Sequence, residues 1–208
     1  MRFVAISDTH SRHRQLKLPK GDVLLHAGDF SYRGKKDEAV DFLTWFGKQD
    51  FAHKIFIAGN HDFFFERAPK AELDTLIPGS VTYLNDSGTT VNGIKIWGSP
   101  VTPWYYNWAF NRRRGDEIRK HWEQIPADTD LLMTHGPAYG FLDTVINDQH
   151  VGCQDLLRTL LIIKPKVHLY GHIHESYGAL KRSGIRLINA SVVNEQYQLI
   201  NRPFVFDL

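Results

Sequence analysis

Short, almost wholly apolar segments recur along the chain, and each is too short for a helix of typical length. Their content of Val, Ile, Leu and Phe favours buried strands. Five such segments precede residue 171, at 3–7, 23–27, 54–58, 131–134 and 167–170. A chain with this many short buried strands must fold around one or more sheets.

The segments between the strands carry helical and turn patterns. Residues 39–46 place their apolar side chains on one helical face, and residues 156–161 predict a second helix that ends near Pro165. Asn92 and Gly93 lie between apolar runs and predict a hairpin. Two further strands are predicted in the tail, at 185–189 and 204–206. This order predicts an α/β or α+β layered domain, with central sheets and helices packed outside.

Length and composition narrow the class of protein. A chain of 208 residues can form one core of ordinary size, so a single domain spanning 1–208 is predicted. The formal net charge of +2 is too small to indicate nucleic-acid binding by itself. Cys153 is the only cysteine, which fits a reducing compartment and a packing role. No signal-peptide core or membrane-spanning run is present, so a cytoplasmic protein without a membrane partner is expected.

Five short polar segments follow predicted strands. They are Asp8-Thr9-His10, Gly28-Asp29, Gly59-Asn60-His61-Asp62, Thr134-His135-Gly136-Pro137 and Gly171-His172-Ile173-His174. Open α/β sheets place their ligand sites at the carboxyl ends of strands, so these segments are expected to meet. Asp8 and His10, like His172 and His174, are two residues apart, and in extended backbone such pairs point to the same side. Each pair is therefore predicted to converge on one point.

The residue types indicate a metal centre. Imidazoles combined with carboxylates suit Mn, Fe, Zn, Co or Ni better than Mg or Ca, and the lack of a second cysteine excludes a thiolate zinc site. Seven ligands are too many for one ion with open positions, and they predict two divalent ions that share a carboxylate. The predicted ligands are Asp8, His10, Asp29, Asn60, His135, His172 and His174. We expect Mn, although Fe, Zn, Co and Ni accept the same ligands.

Two ions about 3.5–4 Å apart can hydrolyse a phosphoester by in-line attack of a bridging hydroxide. His61 follows Asn60 in sequence and is suitably placed to protonate the departing alkoxide. Simpler explanations exist for each segment alone, such as Asp62 acting as a helix cap. The five segments together, each after a strand, favour the metal centre.

The remaining histidines are predicted to be structural or solvated. His26 and His168 lie within predicted strands and are expected to be hydrogen-bonded in the core. The others have polar neighbours in sequence and are expected to be solvated. They are His13, His53, His121 and His150.

These segments, in this order and spacing, resemble the five signature blocks of the calcineurin-like metallophosphoesterase superfamily. Leu25-His26-Ala27-Gly28-Asp29-Phe30, Gly98-Ser99-Pro100, Trp108-Ala109-Phe110-Asn111 and Asn189-Ala190-Ser191 resemble its metallophosphoesterase-domain-containing branch, whose animal members include brain-expressed proteins. The resemblance extends from Phe3 to Leu208. It implies a four-layer sandwich of two mixed β-sheets flanked by helices.

The resemblance also implies which ligands bind each ion. Asp8, His10, Asp29 and His174 would bind the first ion, and Asp29, Asn60, His135 and His172 the second. His61 would meet the substrate phosphate and assist the leaving group. Relatives of this kind act on cyclic nucleotides and other small phosphodiesters, so a phosphodiesterase is the leading prediction. No signature residue is missing, which disfavours a scaffold without catalysis.

The substrate is predicted less sharply than the chemistry. Residues 103–114 are aromatic and then basic, and they form either a cleft wall with an arginine on phosphate or an inward-packed loop with solvated arginines at a helix start. Residues 63–65, three phenylalanines, favour core packing over base stacking. A nuclease acting on DNA or RNA and a phosphomonoesterase are the alternatives, and the motifs leave the oligomeric state open.

Overall fold

Thirteen strands form two large sheets and a two-stranded ribbon in the computed structural model, which describes residues 1–208. The strands are β1 (Arg2–Ile6), β2 (Val23–Ala27), β3 (His53–Ile57), β4 (Val81–Tyr83), β5 (Ser87–Val91), β6 (Ile94–Ser99), β7 (Thr102–Pro103), β8 (Asn111–Arg112), β9 (Leu131–Thr134), β10 (Val167–Tyr170), β11 (Gly178–Arg182), β12 (Ile185–Asn189) and β13 (Phe204–Asp207). The α-helices are α1 (Lys36–Gly47), α2 (Phe63–Arg67), α3 (Lys70–Leu76), α4 (Asp116–Trp122) and α5 (Gln154–Ile163).

Both large sheets are mixed, with a parallel centre. The first has the order β13-β1-β2-β3-β4, in which β1 to β4 run parallel and β13 pairs antiparallel with β1. The second has the order β11-β12-β10-β9-β6-β5, in which the four central strands are parallel and the two edge strands antiparallel. Parallel strands end at one edge of their sheet, so the loops after them can form one site.

Three apolar cores stack the elements into four layers. The two sheets face each other through side chains such as Leu25 and Leu169. The outer face of the first sheet packs on α1, where the Phe42 and Phe56 rings are 5.5 Å apart. The outer face of the second sheet packs on α4 and α5 through residues that include Trp122. Each fully buried side chain of this size stabilises the fold by about 2 kcal/mol.

The predicted fold class and most predicted elements are confirmed. Strands β2, β9, β10 and β12 have the predicted bounds, β1 and β3 begin and end one residue earlier than predicted, and β13 ends one residue later. The hairpin of β5 and β6 turns at Asn92 and Gly93, whose φ angles of 47° and 82° fit a tight hairpin turn. Strand β4, edge strand β11 and helices α2 to α4 were not predicted, because they are short or exposed on one face.

Helix α5 shows how local sequence sets its ends. Cys153 is buried, and its sulfur accepts a hydrogen bond from the N–H of Leu156 at 3.4 Å, so the predicted packing residue also caps the helix. At the other end Lys164 adopts a left-handed conformation, with φ 51°, immediately before Pro165. This is the predicted stop.

The buried histidines differ from the prediction at one position. His26 and His168 are fully buried, as predicted, and each bonds a threonine hydroxyl, that of Thr9 at 3.0 Å and that of Thr134 at 2.8 Å. The prediction that His13 is solvated was wrong. Its ring is fully buried against α1, where it lies 5.0 Å from Trp45 and bonds Asp41.

None of the helices combines the length and the apolar character that crossing a bilayer requires.

His168 makes the stability of the fold depend on pH. Its Nε2 donates to Thr134 Oγ, which itself donates to the carbonyl of Gly136, and its Nδ1 has no partner. Burial lowers the pKa of His168 from 6.5 to about 3. Below pH 6.5 His168 is therefore protonated in the unfolded chain but stays neutral in the folded chain. The fold loses stability as the pH falls from 6.5 towards 3.

We predict that the free energy of unfolding falls by about 2 kcal/mol less between pH 7 and pH 5 in His168→Gln than in wild type. Glutamine keeps a hydrogen-bond donor for Thr134 but takes up no proton. Urea unfolding of the metal-free protein at both pH values measures this difference. His53→Gln, at a partly exposed strand start, serves as the control and should leave the pH dependence unchanged. Equal pH dependence in His168→Gln and wild type would contradict the assignment.

Candidate metal centre

The five polar segments lie together where the two sheets meet. Asp8, Asp29 and Asn60 follow the adjacent parallel strands β1, β2 and β3. His135 follows β9, and His172 follows its parallel neighbour β10. A backbone hydrogen bond from Ser7 N to Ala190 O at 2.9 Å joins the two sheets, and one from Gly171 N to His135 O at 3.0 Å joins neighbouring loops of the second sheet.

Asp29 lies between two groups of metal-ligating atoms. Its Oδ2 is 3.8 Å from His10 Nε2 and 3.3 Å from His135 Nε2. The first group joins Asp8, His10 and His174, and the second joins Asp29, His135 and His172, each with ligand atoms within 4.8 Å of one another. A single carboxylate with a neighbour on both sides is the arrangement that two cations with a shared ligand require.

The other predicted residues complete these groups. His174 Nε2 lies 3.4 Å from His10 Nε2 and 3.6 Å from Asp8 Oδ1. Asn60 Oδ1 lies 2.8 Å from His135 Nε2. A ring nitrogen of His61 is within 4.8 Å of ligand atoms of His10 and Asp29. The structure thus brings all eight predicted site residues into one place.

Of the two residue pairs that were predicted to converge on one point each, only one does so. Asp8 and His10 belong to one group, but His172 and His174 belong to different groups. The reason is that the backbone is not extended here. The φ angle of His172 is 69°, and His174 begins a short 3-10 turn. Asp8, His10 and Asp29 also have left-handed φ angles of 55°, 39° and 57°, a conformation that is uncommon outside glycine.

Backbone carbonyls orient four imidazoles. The Nδ1 atoms of His10, His61, His135 and His174 lie 3.2, 2.8, 2.9 and 3.1 Å from the carbonyl oxygens of Ser31, Tyr32, Ala27 and Asn194. A carbonyl can only accept, so each Nδ1 carries a proton, and Nε2 is the nitrogen left to face a cation. This tautomer presents Nε2 to a cation, and such hydrogen bonds behind histidine ligands are the usual support of a metal site.

Asp62 holds the loops that carry Asp29 and Asn60. Its carboxylate accepts hydrogen bonds from the N–H groups of Asp29, Gly59 and Ser31 at 3.0, 2.7 and 3.0 Å, and from the Ser31 hydroxyl at 2.6 Å. Although it precedes α2, its side chain makes no hydrogen bond to that helix. The simpler explanation of Asp62 as a helix cap was therefore wrong.

Two glycines permit the close approach of these loops. Gly28 has φ +97°, and a Cβ there would lie 2.5 Å from His135 Nδ1. A Cβ on Gly171 would lie 2.0 Å from Asp8 Oδ2. Any side chain at either position would displace a ligand.

Electrostatics favours cation binding. Burial alone would raise the pKa of both carboxyl groups, but His174 beside Asp8 and His135 beside Asp29 outweigh it and hold each pKa below its ordinary value. Burial lowers the pKa of His10 to about 4 and that of His172 to about 3, so both rings are neutral at pH 7. Metal ligands must be deprotonated, and these four are.

An open cavity of about 270 Å³ borders the site. Its aromatic wall is formed by Trp108, whose ring lies 4.3 Å from that of His61, with Tyr105 and Tyr197 at the rim. Tyr197, 4.7 Å from the His10 ring, was missed because the tail around it carries no motif. Two larger depressions, of about 640 and 660 Å³, contain none of the clustered metal-ligating residues.

Residues 103–114 combine both of the predicted alternatives. Their aromatic part lines the cavity, whereas Arg114 donates to the carbonyls of Val151 and Gly152 at 2.8 Å and does not line it. The helix after the arginines begins only at Asp116. Of residues 63–65, Phe65 is buried in the core and the other two are partly buried, which confirms packing as their main role.

The residues present fit a pair of divalent cations. Nitrogen and oxygen donor atoms cluster around one carboxylate, and no cysteine, lysine or arginine lines the cavity beside them. This donor set suits Mn, Fe, Zn, Co and Ni alike.

The sequence model of the family described as calcineurin-like phosphoesterase matches residues 1–176. The chain belongs to this calcineurin-like phosphoesterase family. Metallophosphoesterase domain-containing protein 1 of Homo sapiens is 41% identical over all of this chain and 71% of that protein. The UPF0046 protein K07C11.7 of Caenorhabditis elegans is 36% identical over 99% of this chain and 74% of that protein. Family membership supports a metal-dependent phosphoester hydrolase and confirms the resemblance inferred from the motifs.

Solved structures share the fold of this chain. One crystal structure superposes with a TM-score of 0.66 at 16% identity, covering 90% of this chain and 89% of the other. TT1561 of Thermus thermophilus superposes with a TM-score of 0.56 at 10% identity, covering 90% and 88%. At such low identities these likenesses concern the fold alone.

We predict that Asp62→Ala lowers the free energy of unfolding of the metal-free protein by about 3 kcal/mol, because three buried N–H groups lose their acceptor. Urea unfolding in EDTA measures the loss. Asp74→Ala is the matched control, since its exposed pairing with Lys70 is worth less than about 1 kcal/mol. Equal losses in the two variants would show that Asp62 does not hold the loops.

Proposed function

We propose that this protein is a phosphodiesterase that hydrolyses small phosphodiesters, cyclic nucleotides among them, at a two-metal centre. The observation that carries the proposal is the position of Asp29, whose Oδ2 lies 3.8 Å from Nε2 of His10 and 3.3 Å from Nε2 of His135. We further propose Asp8, His10, Asp29 and His174 as ligands of one ion, and Asp29, Asn60, His135 and His172 as ligands of the other.

Two divalent cations at these ligands would supply hydroxide near neutral pH for in-line attack on phosphorus and would neutralise phosphoryl charge. The protein supplies the geometry. Asp62 and the carbonyls behind the histidines fix the ligands before substrate arrives, so little reorganisation is needed in the reaction.

His61 is proposed to donate a proton to the leaving alkoxide. Its Nδ1–H is bound to the Tyr32 carbonyl, and its backbone N–H donates to Asp29 Oδ1 at 2.8 Å, so the ring is held from two sides. Trp108 packs against the ring at 4.3 Å. Proton delivery therefore falls to Nε2, the nitrogen without a structural partner, and it requires the imidazolium form of His61, which returns to the Nδ1–H tautomer when the proton leaves.

The shape of the cavity supports a small substrate. Its volume of about 270 Å³ lies just below the range of about 300–1,000 Å³ that is common for small-molecule sites. Tyr105, Trp108 and Tyr197 offer ring faces on which a base or an aryl group can stack. A nuclease is favoured less, because no lysine or arginine lines the cavity to follow a nucleic-acid backbone.

We predict that the metal-stripped protein is inactive and that Mn²⁺ restores hydrolysis of bis-p-nitrophenyl phosphate and 2′,3′-cyclic nucleotides. The rate with p-nitrophenyl phosphate should be lower, which distinguishes a diesterase from a monoesterase. Asp29→Asn should lose at least about a hundredfold in kcat/KM, since the shared ligand is weakened. Metal content by mass spectrometry should show two ions per chain in wild type. A faster monoester reaction, or activity without metal, would contradict the proposal.

We predict that His61→Asn, which preserves the donor to the Tyr32 carbonyl, lowers kcat about a hundredfold or more for a nucleoside leaving group. The loss should be less than about tenfold for p-nitrophenolate, which needs no proton to leave. Metal content must remain at the wild-type value. Equal losses on both substrates, or the loss of one ion, would identify His61 as a ligand or a structural residue instead.

A further inference from the structure

The cavity beside the metal centre has an acidic and aromatic lining. Glu175 and Glu195 lie in it together with Tyr105, Trp108 and Tyr197, and no lysine or arginine does. A site that handles phosphoesters would be expected to offer a cationic side chain to any phosphate beyond the reacting one. Because the outer part of this cavity has two carboxylates and no cationic side chain, it repels a second phosphate.

The two glutamates directly follow residues that belong to, or support, the candidate metal centre. Glu175 follows His174, and Glu195 follows Asn194, whose carbonyl accepts the Nδ1–H of His174. This hydrogen bond fixes both segments at the edge of the site. Both glutamates are exposed, and neither carboxylate has a hydrogen-bond or ion-pair partner within the chain. Their negative charges are therefore not neutralised by the protein.

The nearby arginines do not compensate for these charges. Arg112 donates to the Asn111 carbonyl at 2.7 Å and lies 3.6 Å from Glu66. Arg114 is bound to the carbonyls of Val151 and Gly152. The small positive net charge of the chain is thus located outside the cavity.

We propose that Glu175 and Glu195 are specificity-determining residues that select phosphodiesters carrying a single negative charge and reject substrates with a second phosphate. The inference deepens the proposed phosphodiesterase function and rests on it. The metal centre would neutralise one phosphoryl group only. A second phosphate would face two uncompensated carboxylates, which is repulsion directed against the wrong substrate. The uncharged part of a single-phosphate diester would instead meet the aromatic rings.

A matched pair of esters tests this inference. The p-nitrophenyl ester of thymidine 5′-phosphate is compared with the same ester carrying a 3′-phosphate, using the Mn²⁺-loaded protein at low ionic strength. We expect wild type to prefer the free 3′-hydroxyl by about threefold to tenfold in kcat/KM. The preference should approach one in the double variant E175Q/E195Q, and it should shrink as salt is added to wild type.

The double variant E117Q/E123Q is the control. Both of these glutamates are exposed near α4, and neither lines the cavity, so the net charge changes equally without a change at the site. It should keep the wild-type preference. If E175Q/E195Q keeps that preference as well, or if both double variants lose it equally, the inference is overturned.

Binding separates this inference from the proposed function. Calorimetry with thymidine 5′-phosphate and thymidine 3′,5′-bisphosphate reports on the same charges without turnover. Weaker binding of the bisphosphate, relieved only by E175Q/E195Q, would support the inference even if neither ester were hydrolysed. Hydrolysis of both esters with equal binding of both nucleotides would leave the phosphodiesterase in place and remove the selectivity. Binding of neither nucleotide would also overturn the inference.

Discussion

The hydrogen bonds from imidazole Nδ1–H groups to backbone carbonyls are the interactions on which the rest of the site depends. An imidazole can offer only one free lone pair, and these carbonyls decide that it is on Nε2. The acceptors belong to the strand ends and loops themselves, Ala27 at the end of β2 and Ser31 just beyond it. Sheet geometry thereby fixes ligand geometry, and the chain needs no further polar side chain behind these two rings.

Hydrogen bonds also support the residues of the site whose backbone is strained. Asp8, Asp29 and His172 have left-handed φ angles, which cost of order 1–3 kcal/mol each when nothing supports them. Their neighbours provide that support. The His172 N–H donates to both carboxylate oxygens of Asp8 at 3.1 Å, and the Asp29 N–H donates to Asp62. Asp8 of the first sheet thus holds the loop of His172 in the second sheet, and Asp62 holds the loop of Asp29 within the first sheet.

The parts of this structure that residue types determine could be predicted from the sequence. Apolar runs fixed the positions of β2 and β10, and the strand-end position of Asp29 and His135 indicated that they would meet. What the sequence could not show depends on backbone placement. Every residue has a backbone carbonyl, so the sequence does not indicate that the carbonyl of Tyr32 accepts the hydrogen bond from His61.

Tertiary context also overrode two local expectations. His13 has polar neighbours in sequence, yet α1 covers it, because Trp45 and Asp41 come from a distant part of the chain. The spacing of His172 and His174 predicted one shared target, but His172 is left-handed and the two rings belong to different ligand groups. Periodicity arguments hold only while the backbone stays regular, and at this site it does not.

The density of polar groups at the site implies that cation binding and folding are coupled. Asp8 and Asp29 are both buried, and carboxylates this close together repel each other unless positive charge lies between them. In the metal-free protein protonated imidazoles supply that charge. Burial lowers the pKa of His135, but the carboxylate of Asp29 raises it by more, to a net value of about 9. A cation that displaces this proton binds the folded state and not the unfolded chain, so it stabilises the fold by mass action. The residues proposed as metal ligands would therefore also link metal supply to the stability of the protein.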